Sequence, residues 1–277
     1  MNSFQDLIAS KWEKQKFVCV GLDPDYSLLP KAVKKPDSLE ESILLFNLAI
    51  IDATSDLVCA YKPNTAFYEA YGPEGWVALK KTCDYLKATF PHIPIILDAK
   101  RGDIDSTNLG YTKMAFDFLE ADAITIQPYL GQKAMQPFLD YQHKGIFVLA
   151  KTSNTGSDEF QDLTVKGTKL YQFVAKQVVE KWNTNQNCGL VVGAPYPDEL
   201  AEVREMVGEM PILIPGIGKQ GGSISATVKA GKSKTGGMVI NSSRAILYAS
   251  AKKDFAHAAR LETEKLHLEI KKNYENT

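Results

Sequence analysis

Two carboxylates and an ammonium group, those of Asp98, Asp103 and Lys100, stand close together in residues 98–103 (DAKRGD). The apolar run before them has the composition of a strand, and the two-residue period of a strand points Asp98 and Lys100 to the same side. Asp103 follows a glycine at which the backbone can turn, so its carboxylate can fold back towards the pair or reach outward to another chain. Such groups can transfer protons and stabilise charge. They also fit a strand that ends in a solvated salt bridge.

A glycine-rich loop and an arginine late in the chain predict a phosphate site. Residues 215–222 (PGIGKQGG) follow one apolar run, and Ser243-Arg244 opens a helix after the next. Backbone N–H groups at a helix N-terminus and a guanidinium group both bind phosphate, and barrels often place such a site after strands seven and eight. Together these features favour a small phosphorylated ligand.

The composition is that of a soluble globular protein. Of the 277 residues, 44% are hydrophobic and 23% are charged, which allows a large buried core. The net charge of −1 gives no general attraction for nucleic acid or for an anionic membrane, so an anion site must be local. The first 16 residues are too polar for a signal peptide, and no apolar run approaches the ~20 residues of a membrane span. We therefore expect a cytoplasmic protein.

Short β-rich runs alternate with helices along the whole chain. The apolar runs lie at 17–21, 57–61, 95–97, 123–126, 145–149, 189–192, 212–214 and 238–240. Helices are expected at about 2–14, 39–54, 74–89, 106–120, 131–142, 166–182, 197–207, 223–230 and 250–273. Eight such units predict an α/β protein, a (β/α)8 TIM barrel that forms a single domain over residues 1–277. An open doubly wound sheet would show the same alternation and is the alternative fold.

In a barrel, the polar residues that directly follow the strands gather at one end, where active sites lie. This pool contains Asp23, Lys62, Asp98, Lys100, Asp103, Ser153, Gln220 and Arg244. A lysine among carboxylates stays protonated, which suits a cation or proton donor better than a Schiff-base nucleophile. The four histidines fall outside the pool, and the four cysteines form no C-x-x-C pair. We therefore expect no metal site and no disulfide.

The motifs, in chain order, closely resemble those of orotidine 5′-phosphate decarboxylases, in particular the longer bacterial (type 2) subfamily. The matching segments are 21–23 (GLD), 61–69 (YKPNTAFYE), 98–104 (DAKRGDI) with Thr107, and 215–222 (PGIGKQGG). The resemblance implies a carboxy-lyase that converts orotidine 5′-phosphate to uridine 5′-phosphate and CO2, the last step of de novo pyrimidine biosynthesis, without metal or organic cofactor. It implies no nucleic-acid or membrane partner.

The resemblance also implies a role for each site residue. Lys100 would protonate the carbon that loses CO2, Asp98 would lie beside the substrate carboxylate, and Lys62 and Asp103 would complete an alternating array of charges. Asp103 and Thr107 would come from the partner subunit of a homodimer with shared active sites. The remaining residues would bind substrate: Asp23 the ribose hydroxyls, Ser153 the pyrimidine edge, and Gln220, Ser243 and Arg244 the phosphate.

Two other functions fit the same motifs. A sugar-phosphate decarboxylase or aldolase of the same barrel group shares D-x-K-x-x-D but needs Mg²⁺, and a non-catalytic barrel could bind a phosphosugar as a sensor. The chain also departs from many family members at Asp105, which follows the Asp-Ile pair where they carry Gly or Pro. We interpret Asp105 as a helix N-cap.

Overall fold

A computed structural model describes residues 2–217 and 222–276. Within them, eight parallel strands form a TIM barrel. The strands are β1 Val18–Leu22, β2 Val58–Pro63, β3 Ile96–Arg101, β4 Ala123–Ile126, β5 Gly145–Lys151, β6 Cys188–Val192, β7 Ile212–Pro215 and β8 Met238–Ser242. The hydrogen-bonded order is β2-β1-β8-β7-β6-β5-β4-β3. Single parallel bridges, Tyr61 with Ile95 and Asn64 with Asp98, then join β2 to β3 and bring the ends of the sheet together.

Helices follow the strands and cover the barrel. Their bounds are Phe4–Trp12, Leu39–Thr54, Ala66–Glu69, Gly72–Thr89, Asp105–Thr112, Gly131–Leu139, Asp158–Gln161, Leu170–Gln177, Pro197–Val207, Ile224–Gly231, Arg244–Leu247 and Phe255–Glu275. Two of them continue as π-helix, over Lys113–Phe118 and Val178–Trp182. The helix Leu39–Thr54 begins where Ser38 Oγ accepts a 3.0 Å hydrogen bond from the Glu41 backbone N–H.

Most strand residues are buried on both faces, as expected for parallel strands inside a shell of helices; all five residues of β1 are buried. The N-terminal helix covers the opposite end of the barrel from the predicted site. Its Phe4 packs edge-on against Phe147 of β5, and its Trp12 Nε1 donates a 2.8 Å hydrogen bond to the Met238 carbonyl at the start of β8. The C-terminal helix packs Phe255 on Phe46, with ring centroids 5.4 Å apart. No described helix has the length and apolarity to span a bilayer.

Three local predictions differ from the structure. The helix expected at 166–182 begins at Leu170, because Thr164–Val165 and Thr168–Lys169 form a small antiparallel hairpin around Gly167 at φ 79°. The C-terminal helix begins at Phe255 rather than at 250. Asp105 is the first residue of its helix and not the N-cap; Ile104 takes that position without a side-chain cap.

The entry to the helix Asp105–Thr112 is held by a different side chain. Asn108 Oδ1 accepts a 3.0 Å hydrogen bond from the Asp103 N–H, and Asn108 Nδ2 donates one of 2.6 Å to the Asp103 carbonyl. These bonds pair both backbone groups of Asp103, just before the helix. Within its first turn, the Ile104 carbonyl accepts hydrogen bonds of 3.0 and 3.1 Å from the N–H groups of Thr107 and Asn108.

Candidate active site

A cluster of opposite charges lies where β2 and β3 end. Lys62 Nζ donates a 2.8 Å hydrogen bond to Asp98 Oδ2, and Lys100 Nζ donates one of 2.6 Å to Asp98 Oδ1. The carboxylate therefore lies between two ammonium groups. The neighbouring positions of β2 and β3 in the barrel bring Lys62 to Asp98 across 36 residues of sequence.

Two neutral side chains complete the surroundings of Asp98. Thr125 Oγ1, from β4, donates a 2.9 Å hydrogen bond to Oδ1, and Asn64 Nδ2 donates one of 3.2 Å to Oδ2. Each carboxylate oxygen thus accepts two hydrogen bonds, one of them from a lysine. Four donors fix both the position and the ionised state of the carboxylate.

The surroundings shift the pKa values of Asp98 and Lys62 in opposite directions. Burial alone would raise the pKa of Asp98, but Lys62 and Lys100 outweigh it and hold that pKa well below its usual value. Burial alone would lower the pKa of Lys62, but Asp98 and then Asp23 raise it above the ordinary value for lysine. Both groups therefore stay charged across the neutral pH range.

Lys100 has an unusual backbone conformation at the end of β3. Its φ is 46°, in the left-handed region, and the register between β3 and β4 shifts from Leu97 to Arg101. The Thr125 hydroxyl accepts a 3.0 Å hydrogen bond from the Lys100 N–H and so supports this irregular stretch. The Lys100 side chain is 48% exposed and Lys62 only 4%, so Lys100 is the lysine that a ligand and solvent can reach.

The charges border a cavity of about 530 Å³ at the strand ends. Its described lining contains seven predicted site residues: Asp23, Lys62, Asp98, Lys100, Ser153, Ser243 and Arg244. On the side away from Lys100, it is bounded by Gly216, Ile217 and the start of the helix Arg244–Leu247. The Arg244 guanidinium is exposed and makes no hydrogen bond within residues 2–217 and 222–276, which leaves its donors available to an anion.

A close backbone approach shapes the wall near Asp23. A Cβ on Gly21 would lie 1.9 Å from Ser243 Oγ and 3.1 Å from Asp23 Oδ2, so only glycine fits between β1 and the residue after β8. Asp23 Oδ1 is buried and has no hydrogen-bond partner among the described groups. An unpaired buried carboxylate oxygen is costly in free energy. A bound ligand whose hydroxyl group donates a hydrogen bond to this oxygen would remove that cost.

Three predicted site residues are not in this lining. Asp103 and Thr107 lie past the end of β3, outside the cavity of their own chain, and Asp103 Oδ1 accepts a 2.6 Å hydrogen bond from the Ile104 N–H. Gln220 falls in 218–221, outside the described residues, as does part of the glycine-rich loop.

Several lining residues were missed by the sequence analysis. Thr125 follows no polar strand-end pattern because it lies within the apolar run of β4, and Asn241 lies within β8. Gln161 belongs to the short helix Asp158–Gln161, in a stretch to which the sequence analysis assigned no element. Asn64, which donates to Asp98 but is not among the lining residues, was part of a quoted motif and had no assigned role. In the described parts of the chain, no three His, Cys, Asp or Glu side chains group together as metal ligands.

Barrel, charge cluster and cavity define a (β/α)8-barrel enzyme for a small anionic ligand. Comparison with known proteins gives the family. A family model described as "Orotidine 5'-phosphate decarboxylase / HUMPS family" matches residues 16–259. The chain therefore belongs to the orotidine 5′-phosphate decarboxylase / HUMPS family.

Individual relatives are similar to this chain over most of its length. The orotidine 5′-phosphate decarboxylase of Janthinobacterium sp. (strain Marseille) is 51% identical over 261 residues, which cover 93% of this chain and 94% of that protein. The structure of Leishmania donovani OMP decarboxylase matches with a TM-score of 0.81 at 38% identity, over 96% of this chain and 99% of that one. Leishmania donovani UMP synthase matches with a TM-score of 0.84 at 40% identity over 98% of this chain, which spans 57% of that longer protein.

Proposed function

We propose that this chain decarboxylates orotidine 5′-phosphate to uridine 5′-phosphate and CO2, the last step of de novo UMP synthesis, without metal or organic cofactor. The observation that carries the proposal is the Lys62–Asp98–Lys100 alignment beside a cavity that also holds Arg244, an arginine without a partner among the described residues. The names of the relatives, orotidine 5′-phosphate decarboxylases over nearly their full length, support it.

The chemistry follows from the fixed charges. The bond between the pyrimidine ring and its carboxylate breaks, CO2 leaves, and the electron pair stays on the ring carbon. Lys100 gives this carbon a proton and becomes a neutral amine, which regains a proton from solvent because the side chain is partly exposed. The Lys100 ammonium is already in place before charge develops, which is the condition for electrostatic stabilisation without reorganisation. Asp98, held ionised, lies beside the substrate carboxylate and opposes it.

The other lining residues account for the rest of a nucleotide. Asp23, with its unpaired Oδ1, binds the ribose hydroxyls, and Ser153 binds the pyrimidine edge. Ser243 and Arg244 bind the phosphate together with Gln220. Binding energy from the phosphate, remote from the reacting carbon, then contributes to holding the carboxylate against Asp98.

We also propose a homodimer with shared active sites, in which Asp103 and Thr107 enter the partner's cavity. Both residues lie outside the cavity of their own chain, in a region with exposed apolar side chains such as Ile104 and Leu109. Tyr129, after β4, is 86% exposed. Burial of such residues against a second copy would remove apolar surface from water. Each chain would be a single domain, working in the cytoplasm.

The Mg²⁺-dependent alternative is not favoured by this site. A hard cation needs free carboxylate oxygens, and both oxygens of Asp98 already accept hydrogen bonds from lysines. The test is an ultraviolet assay of orotidine 5′-phosphate loss with and without excess EDTA. The proposal predicts equal rates in both; activity that disappears in EDTA and returns with Mg²⁺, or no activity at all, would contradict it.

A further inference from the structure

A fully buried lysine lies behind the wall of the cavity. Lys151, the last residue of β5, has no exposed surface, and its Nζ donates a 2.9 Å hydrogen bond to Asp162 Oδ2. The same Nζ lies 4.5 Å from the centre of the Tyr196 ring. Lys151 is not among the described residues that line the cavity, and the proposed chemistry does not use it. A buried charge is costly to maintain, so its purpose requires an explanation.

Asp162, the partner of Lys151, directly follows the short helix Asp158–Gln161, whose last residue lines the cavity. Gln161, next to Asp162, accepts a 2.8 Å hydrogen bond on Oε1 from the Thr152 N–H, and its Nε2 donates one of 2.8 Å to Thr152 Oγ1. Thr152 Oγ1 in turn donates a 2.7 Å hydrogen bond to Asn154 Oδ1. These bonds fix the residues on both sides of Ser153.

Ser153 is also confined from behind. A Cβ on Gly193, after β6, would lie 2.7 Å from Ser153 Cα, so the two backbones are in close contact. With Gly193 on one side and the Gln161–Thr152 bonds on the other, Ser153 has little freedom to move. The Lys151–Asp162 ion pair holds the segment that makes the second of these restraints.

We propose that Lys151 and Asp162 form a positioning pair that sets Ser153 at the distance needed to bind the base of the nucleotide. This inference rests on the proposed function, because Ser153 is assigned there to the pyrimidine edge. Lys151 touches neither substrate nor reacting atoms and acts only through the segment 152–162. The pair therefore affects recognition of the base and leaves recognition of the phosphate and ribose unchanged.

The test compares two competitive inhibitors, uridine 5′-phosphate and ribose 5-phosphate, which differ in the base alone. In Lys151→Met, the inhibition constant of uridine 5′-phosphate should rise about three- to tenfold, the effect of one misplaced hydrogen bond, while that of ribose 5-phosphate stays unchanged. KM for orotidine 5′-phosphate should rise similarly. The Asp162 side chain is 29% exposed, but its Oδ1 is buried without a partner among the described residues, so Lys151→Met leaves this carboxylate unpaired.

The double variant Lys151→Met/Asp162→Asn provides a second measurement if the single variant folds poorly, since it leaves no unpaired charge. It should show the same selective loss as the single variant, because both break one contact. Lys144→Met is the matched control: this half-buried lysine also lies over an aromatic ring, Phe116, but at the opposite end of the barrel. It should leave both inhibition constants unchanged.

Failure of the proposed function and failure of the positioning role give different results. If the unaltered enzyme fails to convert orotidine 5′-phosphate, the proposed function is wrong. If it converts the substrate but Lys151→Met and the double variant weaken both inhibitors equally, or neither, the positioning role is wrong. A purely structural role for the ion pair would lower the melting temperature without this selective loss.

Discussion

Lys100 Nζ donates a 2.6 Å hydrogen bond to Oδ1 of Asp98, two residues earlier on the same strand, from a backbone in the left-handed region. A residue with a side chain pays on the order of 1 kcal/mol or more for this conformation, so the surrounding structure must hold it. The bulge between β3 and β4 and the Thr125 hydroxyl do so. The result is an ammonium fixed before the substrate arrives.

Thr125→Val tests this support. Valine keeps the shape of threonine but removes the hydroxyl that donates to Asp98 and accepts from the Lys100 N–H. We expect kcat to fall about ten- to a hundredfold, while uridine 5′-phosphate binds within about threefold of the unaltered affinity. Thr227→Val is the control, because Thr227 Oγ1 is buried without a described partner and should not affect kcat. An unchanged kcat in Thr125→Val would show that this hydroxyl does not preorganise the site.

Arg244→Ala tests the phosphate end of the cavity. The loss of a charged donor should weaken uridine 5′-phosphate binding about ten- to a hundredfold, and should leave the much weaker binding of uridine, which has no phosphate, unchanged. Arg260→Ala is a matched control, since Arg260 pairs with Asp56 on the outside of the barrel. Equal losses for uridine and its phosphate would place Arg244 outside the phosphate site.

Mixing two inactive variants tests the shared active site. In a heterodimer of Asp103→Ala and Lys100→Ala subunits, one of the two sites keeps both Lys100 and the partner's Asp103. With random exchange, half of the dimers are mixed, so about a quarter of the full activity should return. Exchange is verified by native mass spectrometry with one subunit isotopically labelled. No recovery after verified exchange would contradict the sharing of sites.

The stability of the fold should depend on the ionisation of Asp98 at low pH. Its pKa is lower in the folded state than in the unfolded chain, so its ionised form contributes stability above about pH 4, and this contribution is lost as the pH falls further. The difference in the free energy of unfolding between the unaltered protein and Asp98→Asn should therefore narrow from pH 7 to pH 3. Urea denaturation measures it, and a difference that widens on acidification would refute the assignment.

Lys62 has the opposite dependence. Because its pKa is raised by folding, its contribution to stability is complete below about pH 10 and is lost only as the pH rises towards the folded value. Between about pH 4 and about pH 10, Asp98 and Lys62 should together contribute a constant amount to the free energy of unfolding.

Much of the fold could be predicted from sequence, because each strand is an apolar run that ends in polar residues. Helix Leu39–Thr54 and strand Ala123–Ile126 have the predicted bounds. The hairpin Thr164–Lys169 could not be predicted in this way, since its first strand is exposed, its second strand is only half-buried, and its residues carry no apolar periodicity. The turn there depends on positive φ at Lys166 and Gly167.

The charged part of the site was also predictable, because Lys62 and Asp98 directly follow the apolar runs of β2 and β3, and Lys100 comes two residues later. Thr125 was not, because a threonine within a β-rich run usually only adopts strand geometry, and its contact with Asp98 depends on the register of β3 and β4. The positions of Asp103 and Thr107 outside the cavity depend on the path of the chain after the bulge, which sequence spacing does not define.

The most direct test of the account is the turnover of Lys100→Ala with orotidine 5′-phosphate, measured beside the binding of uridine 5′-phosphate. If Lys100 delivers the proton, kcat should fall by at least about 10²–10⁴-fold while the nucleotide still binds within about tenfold of the unaltered affinity. A variant that keeps more than about a tenth of the unaltered kcat would contradict the central claim that this ammonium drives the decarboxylation.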